Sequence, residues 1–148
     1  MIRALKFQRK RMLARQFGQY LSELLPHLDE DTIVVPVPTA ARRIRRRGFD
    51  QAVVLARSFA CRRGLPYLEV FARTSSVDQI GKRRTQRITQ MEHSFALAAS
   101  EVQIKGKTIL LVDDVLTTGA TLEAAARLLR KHGAAHVDAV VIARHLPK

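Results

Sequence analysis

One cysteine, Cys61, stands among 148 residues; there is no tryptophan, and aromatic residues make up only 5%. A lone thiol excludes an internal disulfide and any structural zinc site built from several thiolates. It makes a reducing cytoplasm the expected compartment. Long apolar runs are also missing. The longest pieces, such as 109–112 and 139–143, are strand-sized and far short of the ~18 residues a membrane span needs. Residues 1–15 carry six Lys/Arg but no continuous apolar stretch, so no secretory signal is expected there. Acidic residues are scarce, 13 against 26 Lys+Arg, which leaves a formal net charge of +13. Most of the excess, +11, lies in residues 1–95. A charge of this sign favours anionic partners such as nucleic acid, phosphates or anionic lipid without choosing between them.

What is present suits one folded domain. The length and a 47% hydrophobic content support a single core over residues 1–148. Leu13, Phe17, Tyr20, Leu21, Leu24 and Leu25 recur at helical spacing, and Pro26 ends that helix. The β-branched run 32–35 predicts a buried strand that must turn at Pro36-Val37-Pro38. A basic stretch, 42–47, precedes a second helix expected from near Phe49 to Arg63 and stopped by Gly64. Residues 67–71 read as a strand, 73–90 as a polar loop, and 95–97 as a short apolar piece. The run 108–113 is the cleanest strand, of the kind buried on both faces. A loop over 114–119 then leads to a helix over Ala120–Lys131, closed by His132-Gly133, and a last strand over 137–143. The alternation predicts an α/β fold: a mainly parallel, twisted sheet flanked by helices.

The chemistry is concentrated in residues 109–122, Ile-Leu-Leu-Val-Asp-Asp-Val-Leu-Thr-Thr-Gly-Ala-Thr-Leu. A buried strand delivers Asp113 and Asp114 at its carboxyl end, where open α/β sheets bind ligands. Thr117, Thr118, Gly119, Ala120 and Thr121 then open a helix. Backbone N–H groups at a helix start, with three threonine hydroxyls, suit a phosphate, and Gly119 lets the backbone approach it. Adjacent carboxylates can accept hydrogen bonds from vicinal hydroxyls. Phosphate cradle and diol acceptors together describe a ribose 5-phosphate site. The plainer alternative, that the acids merely end a strand and Thr118 merely caps a helix, leaves five special positions in order unexplained.

That segment resembles the phosphoribosyl pyrophosphate signature of type I phosphoribosyltransferases. The stretch 31–38, then Arg42-Arg43 and Arg46-Arg47-Gly48-Phe49-Asp50-Gln51-Ala52, is similar to the ComF-type competence phosphoribosyltransferases. So are Leu5-Lys6-Phe7, Leu13-Ala14 and Gly18, and the spacing of Gln79, Gly81, Arg87 and Phe95. The sequence departs from that family where the usual Phe-Asn-Gln reads Phe49-Asp50-Gln51 and the usual loop Asn reads Gln90. Members usually begin with a cysteine-rich zinc ribbon, whose place would be just before residue 1.

The resemblance implies the type I phosphoribosyltransferase fold, with residues 1–28 as a reduced hood over the site. It implies that Asp113 and Asp114 hold the ribose hydroxyls and that Thr117–Thr121 bind the 5-phosphate. The turn 36–40, including Val37, Pro38 and Thr39, becomes the pyrophosphate loop. Lys82 sits where a closing loop would carry a cation for the leaving pyrophosphate. Mg²⁺ is the implied cofactor, bridging substrate oxygens with no direct protein ligand set. Arg42, Arg43, Arg46 and Arg47, and Arg83, Arg84 and Arg87, are candidate phosphate or nucleic-acid contacts; for each a solvated basic surface is the plainer reading. The position of Thr117 is typically an aspartate in 6-oxopurine enzymes, which disfavours hypoxanthine or guanine as acceptor. A link to DNA uptake in natural transformation is implied, with single-stranded DNA and uptake proteins such as a competence helicase as partners. An enzyme transferring the ribosyl 5-phosphate, a non-catalytic DNA-binding module retaining the site, and a salvage enzyme or nucleic-acid regulator all remain open, as does the oligomeric state.

Overall fold

The computed structural model describes residues 2–25, 28–39, 41–73, 95–98 and 101–145. Three strands, β1 (Ile33–Pro36), β4 (Thr108–Leu116) and β5 (His136–Arg144), form a parallel sheet in the order β1-β4-β5. Its register sets Val35 opposite Leu111 and Val112 opposite Val140. Residues alternate between faces, as a strand's period of two requires. Ile33, Val35, Ile109 and Leu111 pack with Ala125 and Leu129 of α5 (Ala120–Lys131), while Val34, Leu110 and Val112 pack with Leu55, Ala56 and Phe59 of α3 (Gln51–Arg63). Apolar residues at both parities of β4 therefore reflect a strand covered on two sides, as its unbroken hydrophobic run predicts.

Several boundaries move from their expected places, each for a visible reason. α1 spans Ile2–Leu24 rather than starting near Leu13. Its first half is rich in Arg, Lys, Ala, Leu and Gln, which favour helix without needing an apolar stripe. The basic stretch is helical, α2 (Ala41–Arg47), and ends at Gly48, whose φ is 79°. Pro36 does not stop the ladder: it is the last residue of β1, and Val37 N–H still donates to Val112 O at 2.9 Å. In a parallel ladder alternate N–H groups face opposite neighbours. On the other side of β1, Val34 N–H donates to Pro66 O, so the missing donor of Pro36 falls on the side away from β4.

The expected strand over 67–71 is reduced to a single parallel bridge, Val34 with Tyr67. The regular strand comes later, as β2 (Phe71–Arg73), paired antiparallel with β3 (Phe95–Leu97) in a separate two-stranded sheet. Between them Val70 drops fully into the core and turns the chain. A four-residue helix, α4 (Glu101–Ile104), buries Ile104 against the α5 side. β4 runs three residues past Asp113, because Val115 and Leu116 pair with Ala143 and Arg144 of β5. The loop expected over 114–119 shrinks to a turn over 117–119.

α1 lies on α3. Gly18 permits the approach: a Cβ there would stand 2.7 Å from Ser58 Cβ and 2.9 Å from Leu55 O. Arg63 Nη1 donates to Ser22 O at 2.9 Å, and Ser58 Oγ to Arg15 O at 2.9 Å, which fixes the pair. Among the described residues no helix is long and apolar enough to cross a membrane.

Candidate functional site

The parallel sheet brings the carboxyl ends of β1 and β4 side by side. Because Val37 N–H bonds to Val112 O, the segment Val37–Thr39 leaves the sheet next to the point where β4 delivers Asp113 and Asp114. Val37 itself is buried, whereas Pro38 and Thr39 are half-buried. Ala40 lies outside the described residues. Leu116 ends the strand, Thr117 and Thr118 are exposed, and Gly119 caps α5 with φ 80° and ψ −9°. That backbone conformation is natural to glycine and strained for other residues. A Cβ at Gly119 would meet only Leu116 Cδ1, at 3.5 Å, so the conformation rather than space demands glycine. Thr118 Oγ1 accepts from Ala120 N–H at 3.4 Å, and Glu123 N–H reaches back to Gly119 O at 2.9 Å. The first turn of α5, which follows the carboxyl end of β4 after the turn 117–119, has N–H groups without intrahelical partners and carries the positive end of the helix.

The two acids are held differently. Asp113 Oδ1 accepts from the backbone N–H of Asp114 at 2.7 Å. Burial pushes the Asp113 carboxyl from an ordinary 3.8 up to about 6; the charge of Asp114 adds to this, while the Asp114 N–H and the charge of Arg43 oppose it. Asp114 has a direct counter-ion: Arg47 Nη1 donates to its Oδ2 at 2.7 Å. The Arg47 and Asp114 side chains are 23% and 17% exposed, so this pair is partly shielded from water. The same Nη1 donates to Gln51 Oε1.

The arginines of α2 are thereby divided. Arg43 and Arg47, four residues apart, act on the acid pair, one through its field and one by contact. Arg42, Arg43, Arg45 and Arg46 are exposed, and Arg47 is half-buried. Sequence reasoning treated these arginines as one basic group and did not foresee that Arg47 faces an aspartate. The i, i+4 spacing within the run carried that information once the segment is helical.

Asp50 also has a role not anticipated. Its carboxylate caps α3, accepting from Ala52 N–H at 3.0 Å and Val53 N–H at 3.4 Å. The same Oδ1 accepts from Thr39 Oγ1 at 2.8 Å. A capping aspartate immediately before an apolar-periodic helix was the readable signal; its second bond to the loop was not. Lys82, Arg83, Arg84 and Arg87, with Gln79, Gly81 and Gln90, lie outside the described residues. Among the described residues no group of three or more His, Cys, Asp or Glu could hold a metal ion.

Comparison with known proteins agrees with this architecture. Competence protein ComFC of Bacillus subtilis (strain 168) is 34% identical over 129 residues, covering 86% of this chain and 50% of that protein. The DNA utilization protein YhgH of Escherichia coli O6:H1 is 29% identical over 156 aligned residues, covering 99% of this chain and 66% of that protein. The chain thus spans about half to two-thirds of the length of these curated relatives. Among solved structures, the glutamine phosphoribosylpyrophosphate amidotransferase of B. subtilis complexed with ADP and GMP superposes with a TM-score of 0.63 at 20% identity, over 86% of this chain and 25% of that one. At that identity the likeness speaks for the fold, which is the type I phosphoribosyltransferase fold. Residues 21–147 match the phosphoribosyl transferase domain, and the chain belongs to that family.

Proposed function

We propose that this chain binds phosphoribosyl pyrophosphate and acts as a ComF-type phosphoribosyltransferase in the handling of DNA during uptake, within one domain over residues 1–148. The observation that carries the reading is the juxtaposition at the sheet's carboxyl edge: an acid pair, a threonine-rich helix start and the Val37–Thr39 loop. In this reading Asp113 and Asp114 accept hydrogen bonds from the ribose diol. The α5 start, Thr117 to Thr121, takes the 5-phosphate, and Val37–Thr39 lines the pyrophosphate. Two half-buried carboxylates do not make an all-protein magnesium site, but they fit an ion that keeps its bonds to water and ligand oxygens. Magnesium, when bound with the ligand, screens the charge of the pyrophosphate.

Transfer breaks the C1–O bond to pyrophosphate as the acceptor's nucleophile bonds to C1. The carbon gains oxocarbenium character on the way. Asp113 and Asp114 fix the ring, and the α5 start holds the phosphate end, so positioning is the chief contribution of the described residues. Lys82, in the sequence reading, stabilises the departing pyrophosphate. Residues 1–28, which include α1, serve as a reduced hood. The relatives' names, competence protein and DNA utilization protein, support the DNA role, with single-stranded DNA and uptake proteins such as a helicase as partners. The exposed guanidinium groups of Arg42, Arg45 and Arg46 favour a second reading, a binding module in which the phosphoribosyl site serves only as a sensor.

Isothermal titration with phosphoribosyl pyrophosphate and Mg²⁺ tests the site. Hydrogen bonds to charged groups are worth about 1.5–3 kcal/mol each, so Asp113→Ala with Asp114→Ala should weaken binding at least about a hundredfold with the circular dichroism unchanged. Undiminished affinity in that double variant would defeat the assignment. Pyrophosphate release with candidate acceptors separates enzyme from sensor.

A further inference from the structure

The segment Arg47–Gln51 touches both halves of the site without belonging to either. At one end Arg47 Nη1 bonds Asp114 Oδ2 at 2.7 Å, beyond β4. At the other, Asp50 Oδ1 receives the Thr39 hydroxyl at 2.8 Å, beyond β1. Gly48, with φ 79°, reverses the chain after α2, and its N–H caps back to Ile44 O at 2.7 Å. Phe49 is buried and anchors the turn in the core. Asp50 is fixed in turn by the first N–H groups of α3, and Gln51 holds the guanidinium of Arg47 from the side. Every polar side chain of the segment is therefore committed to positioning another group.

We propose that residues 47–51 form a clasp: Arg47 is a positioning residue that orients Asp114, and Asp50 orients the Val37–Thr39 loop, so that the diol and pyrophosphate halves of the site are set in register by one rigid turn. The inference rests on the functional reading above and adds a role for residues that touch no ligand in it. The physical need is plain. Adjacent carboxylates repel each other. A fixed guanidinium on Asp114 relieves that repulsion while leaving that carboxylate's other lone pairs for a diol. A bidentate-capable planar cation restrained by Gln51 fixes orientation as well as charge, which a solvated lysine does not. The clasp also gives the side chain at position 50 a double use: its Oδ1 takes two backbone N–H groups of α3 and the Thr39 hydroxyl.

The test uses the whole chain and two partial ligands. Ribose 5-phosphate samples the diol and 5-phosphate positions, and inorganic pyrophosphate samples the loop. Arg47→Ala should weaken ribose 5-phosphate by about ten- to a hundredfold and change pyrophosphate affinity less than about twofold, and Arg47→Lys should recover part of the loss. Equal losses for both ligands would mean that Arg47 contacts pyrophosphate itself, and unchanged affinity for both would mean that it orients nothing; either overturns the proposal. If the wild-type chain binds neither probe nor phosphoribosyl pyrophosphate, the functional reading falls, and the clasp is decided by thermal unfolding. There, Arg47→Ala and Asp114→Ala combined should lower Tm by less than the two single losses added together; strict additivity would show no clasp.

Discussion

Asp113 sits where function and stability pull in opposite directions. Its carboxyl is pushed up to about 6, mainly by burial. An acid whose folded value is raised stabilises the fold fully below its unfolded value, near 3.8, and loses that contribution as pH rises toward 6. At neutral pH the ionised, partly desolvated Asp113 therefore costs stability. Asp113→Asn keeps an oxygen for the Asp114 N–H, so it should raise Tm at about pH 7.5 and show no gain at about pH 4. Discounted for solvent screening and for the charge of Arg43, the gain is about 1 kcal/mol, or roughly 2–4 °C in a thermal melt. The same titration predicts that affinity for a ribose diol falls as pH drops below about 6, because a protonated carboxyl offers fewer acceptors; calorimetry across that range checks it. Thr32 makes the contrast. It is 1% exposed at the opposite end of β1, and its hydroxyl is buried without a hydrogen-bond partner among the described residues. Thr32→Val should stabilise by about 1 kcal/mol, read in urea unfolding, and leave ligand affinity unchanged.

Among the elements, α1 and α3 meet at a contact with no room to spare. Gly18→Ala would place a methyl group 2.9 Å from the Leu55 carbonyl, which is backbone and cannot swing aside. We expect a loss of about 1–3 kcal/mol and faster amide exchange along α1, measured by hydrogen–deuterium exchange, with little change in α5. Much at this scale is legible in the sequence. The span of α5, the two-faced burial of β4 and the acid pair at its end follow from the run Ile109–Val112 and from the threonine-glycine turn that follows it. The lengths of α1 and β4 are not. A helix rich in Arg and Lys shows no apolar stripe to read, and two extra strand residues after a pair of aspartates depend on a partner, β5, distant in sequence. Tyr67 misleads for a related reason: its ring and hydroxyl suit a strand, but in the fold the hydroxyl serves Glu69, and Arg57 stacks 5.2 Å over the ring. The contact of Arg47 with Asp114 spans 67 residues, and no local pattern announces it.

Across the whole molecule the net charge of +13 frames the electrostatics. α2 lies at the border between the site and the outer surface. Arg47 is tied to Asp114, and Arg42, Arg43, Arg45 and Arg46 are exposed. If the exposed set contacts a DNA backbone, Arg42→Glu with Arg46→Glu should weaken single-stranded DNA binding and reduce the slope of log K against log salt by about 1–1.5. Phosphoribosyl pyrophosphate affinity should change little. A titration at several salt concentrations, alongside calorimetry, separates the two surfaces, and an unchanged slope would remove these residues from the DNA contact.

Pro36 carries one more consequence. Where most strands finish with an amide still able to recruit a neighbour, this one finishes with a ring nitrogen that has no proton to give, leaving only its carbonyl on the outer flank. A chain pairing along that flank would find one rung of the ladder missing.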